Sequence, residues 1–394
     1  MDFTEAEVTV LRYLLYPYRV MLVADTDHAD VMICKGLEQK PSKPAIRMIG
    51  RSPQPCSYQE PKDHCNGIID MPLELITEAL TKFKKILIPN IALKYKLVTQ
   101  LPFQYNFVPS WIRSRLLKMQ EIDSDLSRHL GNEIARSSLV RAFRALGFPL
   151  ERKRPPLLLV THDIESPHGL AKATLLKSVE DDLDMASTWF VPSDEYPIRR
   201  DIARELSSDG RIGSHDIKHD GKLIHIKTRE RLVDRLRSSR LRLERIFDKE
   251  VECFRSPLLQ FSQRIGLALG DAGYRFDFSV PCWEPVHPVS MGGFGVESTQ
   301  AFEIGGVIEF PLTLIQDHQV MNVMGMTTRE AIKFWIKEAE LICSFDGDLV
   351  LCVHPDYAFS QDLKMYRALL TSLSQVRRTD NPEDKRSNEP EALC

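Results

Sequence analysis

The chain has 394 residues, 43% of them apolar, and a formal net charge of −3 at neutral pH. It can bury a core and is long enough for two domains. It lacks the basic footprint of a nucleic-acid partner, and no apolar stretch reaches the roughly 20 residues a membrane span needs. The start, Met1-Asp2-Phe3-Thr4-Glu5, has neither the basic nor the apolar segment of a secretory signal, so the expected location is cytoplasmic.

Residues 1–150 read as a small α/β N-terminal domain. Strand-like runs fall at 18–23, 31–34 and 45–49. Helical spacing over 73–85 puts Leu75, Ala79 and Phe83 on one face, and another strand-like run follows at 86–89. Asp25, Asp27, His28 and Asp30 form an ionisable cluster that reads as a solvated turn. No glycine-rich phosphate loop occurs. The eight cysteines include no Cys-x-x-Cys pair. They read as reduced thiols, with Cys253 and Cys352 acting as small hydrophobes inside apolar runs. His64-Cys65, near Cys56, reads as loop. Residues 151–156, four charged side chains and two prolines, resist helix and strand alike and mark a domain junction.

From residue 157 onward, short apolar runs alternate with helical stretches. The runs lie at 157–160, 188–191, 251–254, 274–278, 307–312 and 349–353, and helices are predicted at 198–207, 228–247 and 328–343. That alternation predicts parallel pairing. A helix follows at 362–375, and residues 377–394 read as a disordered polar tail.

Ionisable residues gather at the ends of these runs. Asp163 and Glu165 follow the first, Arg255 follows 251–254, Asp277 lies within 274–278 and His354 ends 349–353. In an α/β barrel the carboxyl ends of the strands converge on one face, so distant residues can share a pocket. The strongest signal is the run Gly213-Ser214-His215-Asp216-Ile217-Lys218-His219-Asp220-Gly221. Histidines four apart share one face of a helical turn. With a carboxylate from Asp163 or Glu165 they make the two-histidine, one-carboxylate set of a catalytic zinc.

In series these motifs resemble the polysaccharide deacetylase (NodB-homology) family over residues 157–358. Thr161-x-Asp163-x-Glu165 looks like its first motif in a spaced variant, and Thr188-Trp189-Phe190-Val191-Pro192 like its second strand. The run from Asp209 to His219 is similar to its histidine motif, and Phe254-Arg255-Ser256-Pro257 to its Arg-x-Pro motif. Asp277-Phe278-Ser279 resembles its Asp-x-Ser motif, and Leu351-Cys352-Val353-His354-Pro355 its last one. The resemblance implies an irregular (β/α) barrel over 155–376 as the catalytic domain, preceded by the small α/β domain. It also implies a metal-dependent hydrolase that removes N-acetyl groups from a saccharide or its precursor.

By that likeness Glu165, His215 and His219 hold the metal and Asp163 is the general base. His354 protonates the departing amine with Asp277 as its carboxylate partner, and Arg255 orients Asp163. Pro257, Asp317, His318 and Trp283 are expected to contact the substrate, Trp283 by stacking on a sugar face; Trp189 suits the core. Zn2+ fits the ligand set, as do Co2+, Ni2+ and Fe2+. Two other readings use the same barrel: hydrolysis of a cyclic amide or ureide, and carbohydrate binding without turnover.

Overall fold

The computed structural model describes residues 3–23, 29–35, 44–49, 62–64, 68–89, 91–93, 95, 122–290 and 292–380, and the chain is α/β. It divides into two compact units, residues 1–85 with 130–154, and residues 86–129 with 155–394. The second unit thus takes in residues 86–129, which periodicity alone places in the first. Residues 24–28, 56 and 65, which carry part of the Asp/His turn and the Cys56–Cys65 group, lie outside the described residues.

In the first unit, β1 (Met32–Lys35), β2 (Ala45–Ile49) and β4 (Ile68–Pro72) pair in parallel, and β3 (Lys62–His64) runs antiparallel to β4. The helix Glu74–Leu87 absorbs the start of the strand-like run at 86–89. The run at 18–23 forms no strand and makes only an isolated bridge, Tyr18 with Arg152. Two helices escape the periodicity. Glu5–Leu15 begins with a capping box of Thr4 and Glu7. Gly131–Ala145 buries Asn132, Glu133 and Arg136 among its apolar side chains, which blurs its stripe.

The second unit is built on an eight-stranded curled sheet in the order β12-β13-β9-β8-β7-β6-β5-β14. Its strands are β5 (Leu158–Asp163), β6 (Ser187–Val191), β7 (Arg211–Ser214), β8 (Cys253–Phe254), β9 (Phe276–Asp277), β12 (Phe302–Ile304), β13 (Val307–Glu309) and β14 (Leu349–Cys352). All neighbours are parallel except β12 and β13. A separate hairpin, β10 (Glu284–His287) with β11 (Gly292–Phe294), lies between β9 and β12 in sequence. Parallel strands need long crossovers; Pro167–Asp181, Arg200–Leu206, Arg229–Phe247 and Gln263–Ala272 supply helices for them. Ser166, Thr228 and Ser262 cap three of these by accepting from backbone N–H groups.

The gap between the sheet's ends is spanned by residues 310–314. On one side Phe310 N–H donates to Asp277 O (2.8 Å) and Leu312 N–H to Val280 O (2.9 Å). On the other, Leu314 N–H donates to Val350 O (3.2 Å), and Thr313 Oγ accepts from Val350 N–H (2.8 Å) while donating to Asp348 O (2.8 Å). An irregular segment therefore completes the barrel that the sheet leaves open. Phe190, Phe278 and Phe310 pack in succession, the first pair tilted and the second stacked, with centroids 5.4 and 5.3 Å apart. Gly213 makes room for this: a Cβ there would fall 2.4 Å from the Phe190 ring. The final helix, Leu363–Asp380, runs past the expected start of the tail. Arg377 is buried, its Nε–H donating to Pro156 O at 3.0 Å; residues 381–394 lie outside the described residues.

Candidate active site

Side chains alternate across a strand, so Thr161 and Asp163 of β5 share a face, as do Cys352 and His354 at the end of β14. Cys352 registers with Thr161 across the β5–β14 pair, which brings His354 beside Asp163. On the far side of β6, the chain leaving β7 keeps bonding to its neighbours. His215 N–H donates to Val191 O (2.9 Å), Ser193 N–H to Asp216 O (2.9 Å) and Arg255 N–H to Ser214 O (3.0 Å). Asp163, Glu165, His215, His219, Arg255 and His354 thereby come together at the carboxyl ends of the strands.

The helical turn expected for His215–His219 does not form. Asp216 adopts a left-handed conformation (φ 63°), which an aspartate tolerates better than most residues. Arg235 Nε–H donates to both oxygens of buried Asp216 (2.9 and 3.0 Å), and its Nη2 reaches Asp220 (2.9 Å). Ser239 Oγ donates to Asp216 O at 2.7 Å. The loop so held sets the two imidazoles 5.3 Å apart at 30°.

Arg255 O accepts from His215 Nδ1–H at 2.9 Å, since a carbonyl can only accept. That fixes the tautomer and leaves the His215 Nε2 lone pair free. Nε2 is buried and has no hydrogen-bond partner. His219 Nε2 lies 3.0 Å from Glu165 Oε1, yet it too lacks a partner in hydrogen-bonding geometry. The donor atoms of Glu165, His215 and His219 all fall within 4.8 Å of one another. Two orphaned imidazole nitrogens and a carboxylate oxygen aimed at one place suit a divalent metal ion, and this set fits Zn2+. Burial lowers the His215 pKa to about 4, so its ring is neutral and able to ligate. Burial opposes charge on His219 as well, but Glu165 beside it more than offsets this and its pKa is raised.

Asp163 Oδ1 accepts from Arg255 Nη1–H at 2.9 Å, and the same nitrogen donates to Thr161 Oγ (2.8 Å). Arg255 Nε–H donates to Phe278 O (3.0 Å), and the guanidinium lies 4.6 Å from the Phe190 ring centroid. Burial alone would raise the Asp163 pKa; Arg255 outweighs it, and the carboxyl stays below its usual range. Asp163 Oδ2 and Glu165 Oε1 stand 4.0 and 3.8 Å from His354 Nε2.

Asp277 is not the carboxylate at His354. Asp317 is: its Oδ1 accepts from His354 Nδ1–H (2.6 Å) and its Oδ2 from the His354 backbone N–H (2.9 Å). Burial opposes the imidazolium, but Asp317, helped by Glu165 and Asp163, overcomes it and lifts the His354 pKa to about 10. Asp277 instead accepts from Ser279 Oγ and Phe278 N–H, and it sits in register with Glu309. Burial raises both carboxyl pKa values, and Asp277 pushes Glu309 further up.

The remaining substrate contacts divide. His318 is half-buried, its ring 6.5 Å from His354 and 6.1 Å from Tyr357. Pro257 is buried and opens a tight turn whose Leu258 and Leu259 both have positive φ, 58° and 51°. Trp283 is already engaged: it stacks on His129 at 3.4 Å and its Nε1–H donates to Asp123 O (2.8 Å). One face of the indole is therefore taken by His129. Of the histidines near the first motif, His162 faces away from Asp163, bonding Val353 O (2.8 Å) and Glu180 (2.7 Å), and His168 is exposed. Trp189 is fully buried and stacks on His162 at 4.0 Å, as a core residue.

Polysaccharide deacetylases are among the solved structures similar to this chain. One from Mycobacterium smegmatis shares 15% identity over 61% of this chain and 89% of its own, with a TM-score of 0.49. The chitin deacetylase of Colletotrichum lindemuthianum shares 13% over 58% and 84%, with a TM-score of 0.38. A carbohydrate esterase family 4 pseudoenzyme from Bacillus anthracis shares 13% over 56% and 62%, with a TM-score of 0.36. No protein-family model and no curated protein matches the chain. Likeness of fold does not assign a function; the side chains at the site carry it.

Proposed function

We propose that this protein is a metal-dependent hydrolase that removes N-acetyl groups from a saccharide or saccharide precursor. The observation that carries the reading is the convergence of His215 Nε2, His219 Nε2 and Glu165 Oε1, with Asp163 and His354 alongside. A divalent ion held by those three would lower the pKa of a water to about 7 and polarise the amide carbonyl. Asp163, kept ionised by Arg255, accepts the proton of the attacking water through Oδ2, the oxygen Arg255 leaves free. His354, held as imidazolium by Asp317, gives its Nε2 proton to the departing amine, which leaves as the free amino sugar while acetate forms. Asp163 and His354 would face the reacting carbonyl in a site whose ionised groups are nearly all buried, where charge stabilisation is strongest.

The test is acetate release from N-acetylglucosamine oligomers, with and without chelator, by wild type and Asp163→Asn. Chelator-sensitive release that falls by about 10²-fold or more in the variant is expected for loss of a general base. Release that persists in chelator, or in Asp163→Asn, contradicts the reading. Small imides run in parallel separate this substrate class from cyclic amides.

A further inference from the structure

A second constellation overlaps the first. The donor atoms of Asp163, Cys352 and His354 also lie within 4.8 Å of one another, and all three residues are buried. Their alignment follows from the β5–β14 register, which stacks Cys352 and His354 along one strand face opposite Thr161 and Asp163. Each presents one uncommitted donor. Asp163 gives Oδ1 to Arg255 and keeps Oδ2. His354 gives Nδ1 to Asp317 and keeps Nε2, the carboxylate-backed arrangement usual for a metal-binding histidine. Cys352 is a free thiol.

We propose that Asp163, Cys352 and His354 form a second, inhibitory cation site that takes a soft divalent ion, Zn2+ in excess or Cd2+. This rests on the proposed hydrolase chemistry, in which Asp163 and His354 move the protons. The sulfur sets the preference: thiolate selects soft ions, whereas the Glu165–His215–His219 set holds only nitrogen and oxygen donors. Each ligand binds in its basic form, so whatever proton the thiol or the imidazole carries leaves to solvent as the ion enters. The Asp163 lone pair and the His354 N–H that the reaction needs are then both occupied.

Metal-free full-length protein titrated with Cd2+ tests this through the ultraviolet thiolate-to-cadmium absorption and through bound metal counted after equilibrium dialysis. Wild type should bind one more ion per chain than Cys352→Ser, with absorption the variant lacks. His219→Ala should lose the other ion but keep the absorption. Matching stoichiometry and spectra for wild type and Cys352→Ser overturn the proposal; should the serine variant fail to fold, Cys352→Ala is judged by the same comparison. If His219→Ala loses no ion, the fault lies with the first site instead. With Zn2+, wild-type activity should fall by about 10²-fold between the first and second equivalents, the scale of losing acid–base catalysis, while Cys352→Ser, measured against its own one-equivalent activity, should not fall. Equal inhibition of both proteins would also overturn it.

Discussion

Asp317 shows what one carboxylate does for one histidine. It accepts from both the ring and the backbone of His354, so it orients the imidazole and holds its proton together. Asp317→Asn keeps the shape and removes the charge. We expect kcat to fall by about 10²-fold with KM little changed, as for loss of an acid that acts only in the transition state. The sign of the pH effect is fixed. Activity needs the protonated ring, which wild type keeps up to about pH 10, so the alkaline limb of the rate profile should move to lower pH in the variant. A limb that stays in place would assign the proton to another group. The sequence points to His354 from its place at a strand end, but not to Asp317 as its partner. Asp277 lies within one apolar run and Asp317 follows another, and only the path of residues 310–317 across the gap decides which of them meets the imidazole.

Among the elements, the loop from His215 to Gly221 depends most on its neighbours. Its left-handed Asp216 is held by Arg235 and Ser239 of the helix Arg229–Phe247. Arg235→Met should leave the buried Asp216 carboxylate unpaired and let the two imidazoles drift apart. Metal affinity should drop by about 10- to 100-fold, the usual cost of losing support behind the ligands. A chelator competition titration reads this directly, and unchanged affinity would show that the loop holds itself. The two histidines were legible from their spacing, although a helical turn was the wrong reason for it: a loop fixed by Arg235 brings the rings together. The helix Pro167–Asp181 was not legible. It buries Lys177 and Glu180 together with Leu170, Ala173, Leu176 and Val179, so no single stripe stands out. Glu180 faces inward because His162, Ser187 and Tyr366 all bond to it.

For the whole molecule, the alternation of apolar runs and helices was enough to indicate parallel pairing, because each buried strand needs a covering crossover; the barrel itself came from the motif likeness. Its completion was not legible. The closing segment at 310–314 is held by hydrogen bonds from the Thr313 side chain and single backbone groups rather than by a regular ladder. Thr313→Val tests it. The valine fills the same space but leaves Val350 N–H buried without an acceptor, which should cost about 1–3 kcal/mol in urea unfolding. An unchanged midpoint would mean that the gap is closed by packing alone. Metal should also stabilise the fold, since an ion that binds only the native state raises the melting temperature with concentration. Chelator should reverse that rise in wild type and have no effect in a His215→Ala, His219→Ala, Cys352→Ser triple variant, which lacks both proposed sites.

The most direct measurement of the central claim is anomalous diffraction at the zinc edge from crystals grown with one equivalent of Zn2+. The account predicts one peak about 2.0–2.2 Å from His215 Nε2, His219 Nε2 and a Glu165 carboxylate oxygen. A peak on other side chains, or none in protein that still releases acetate, would contradict it.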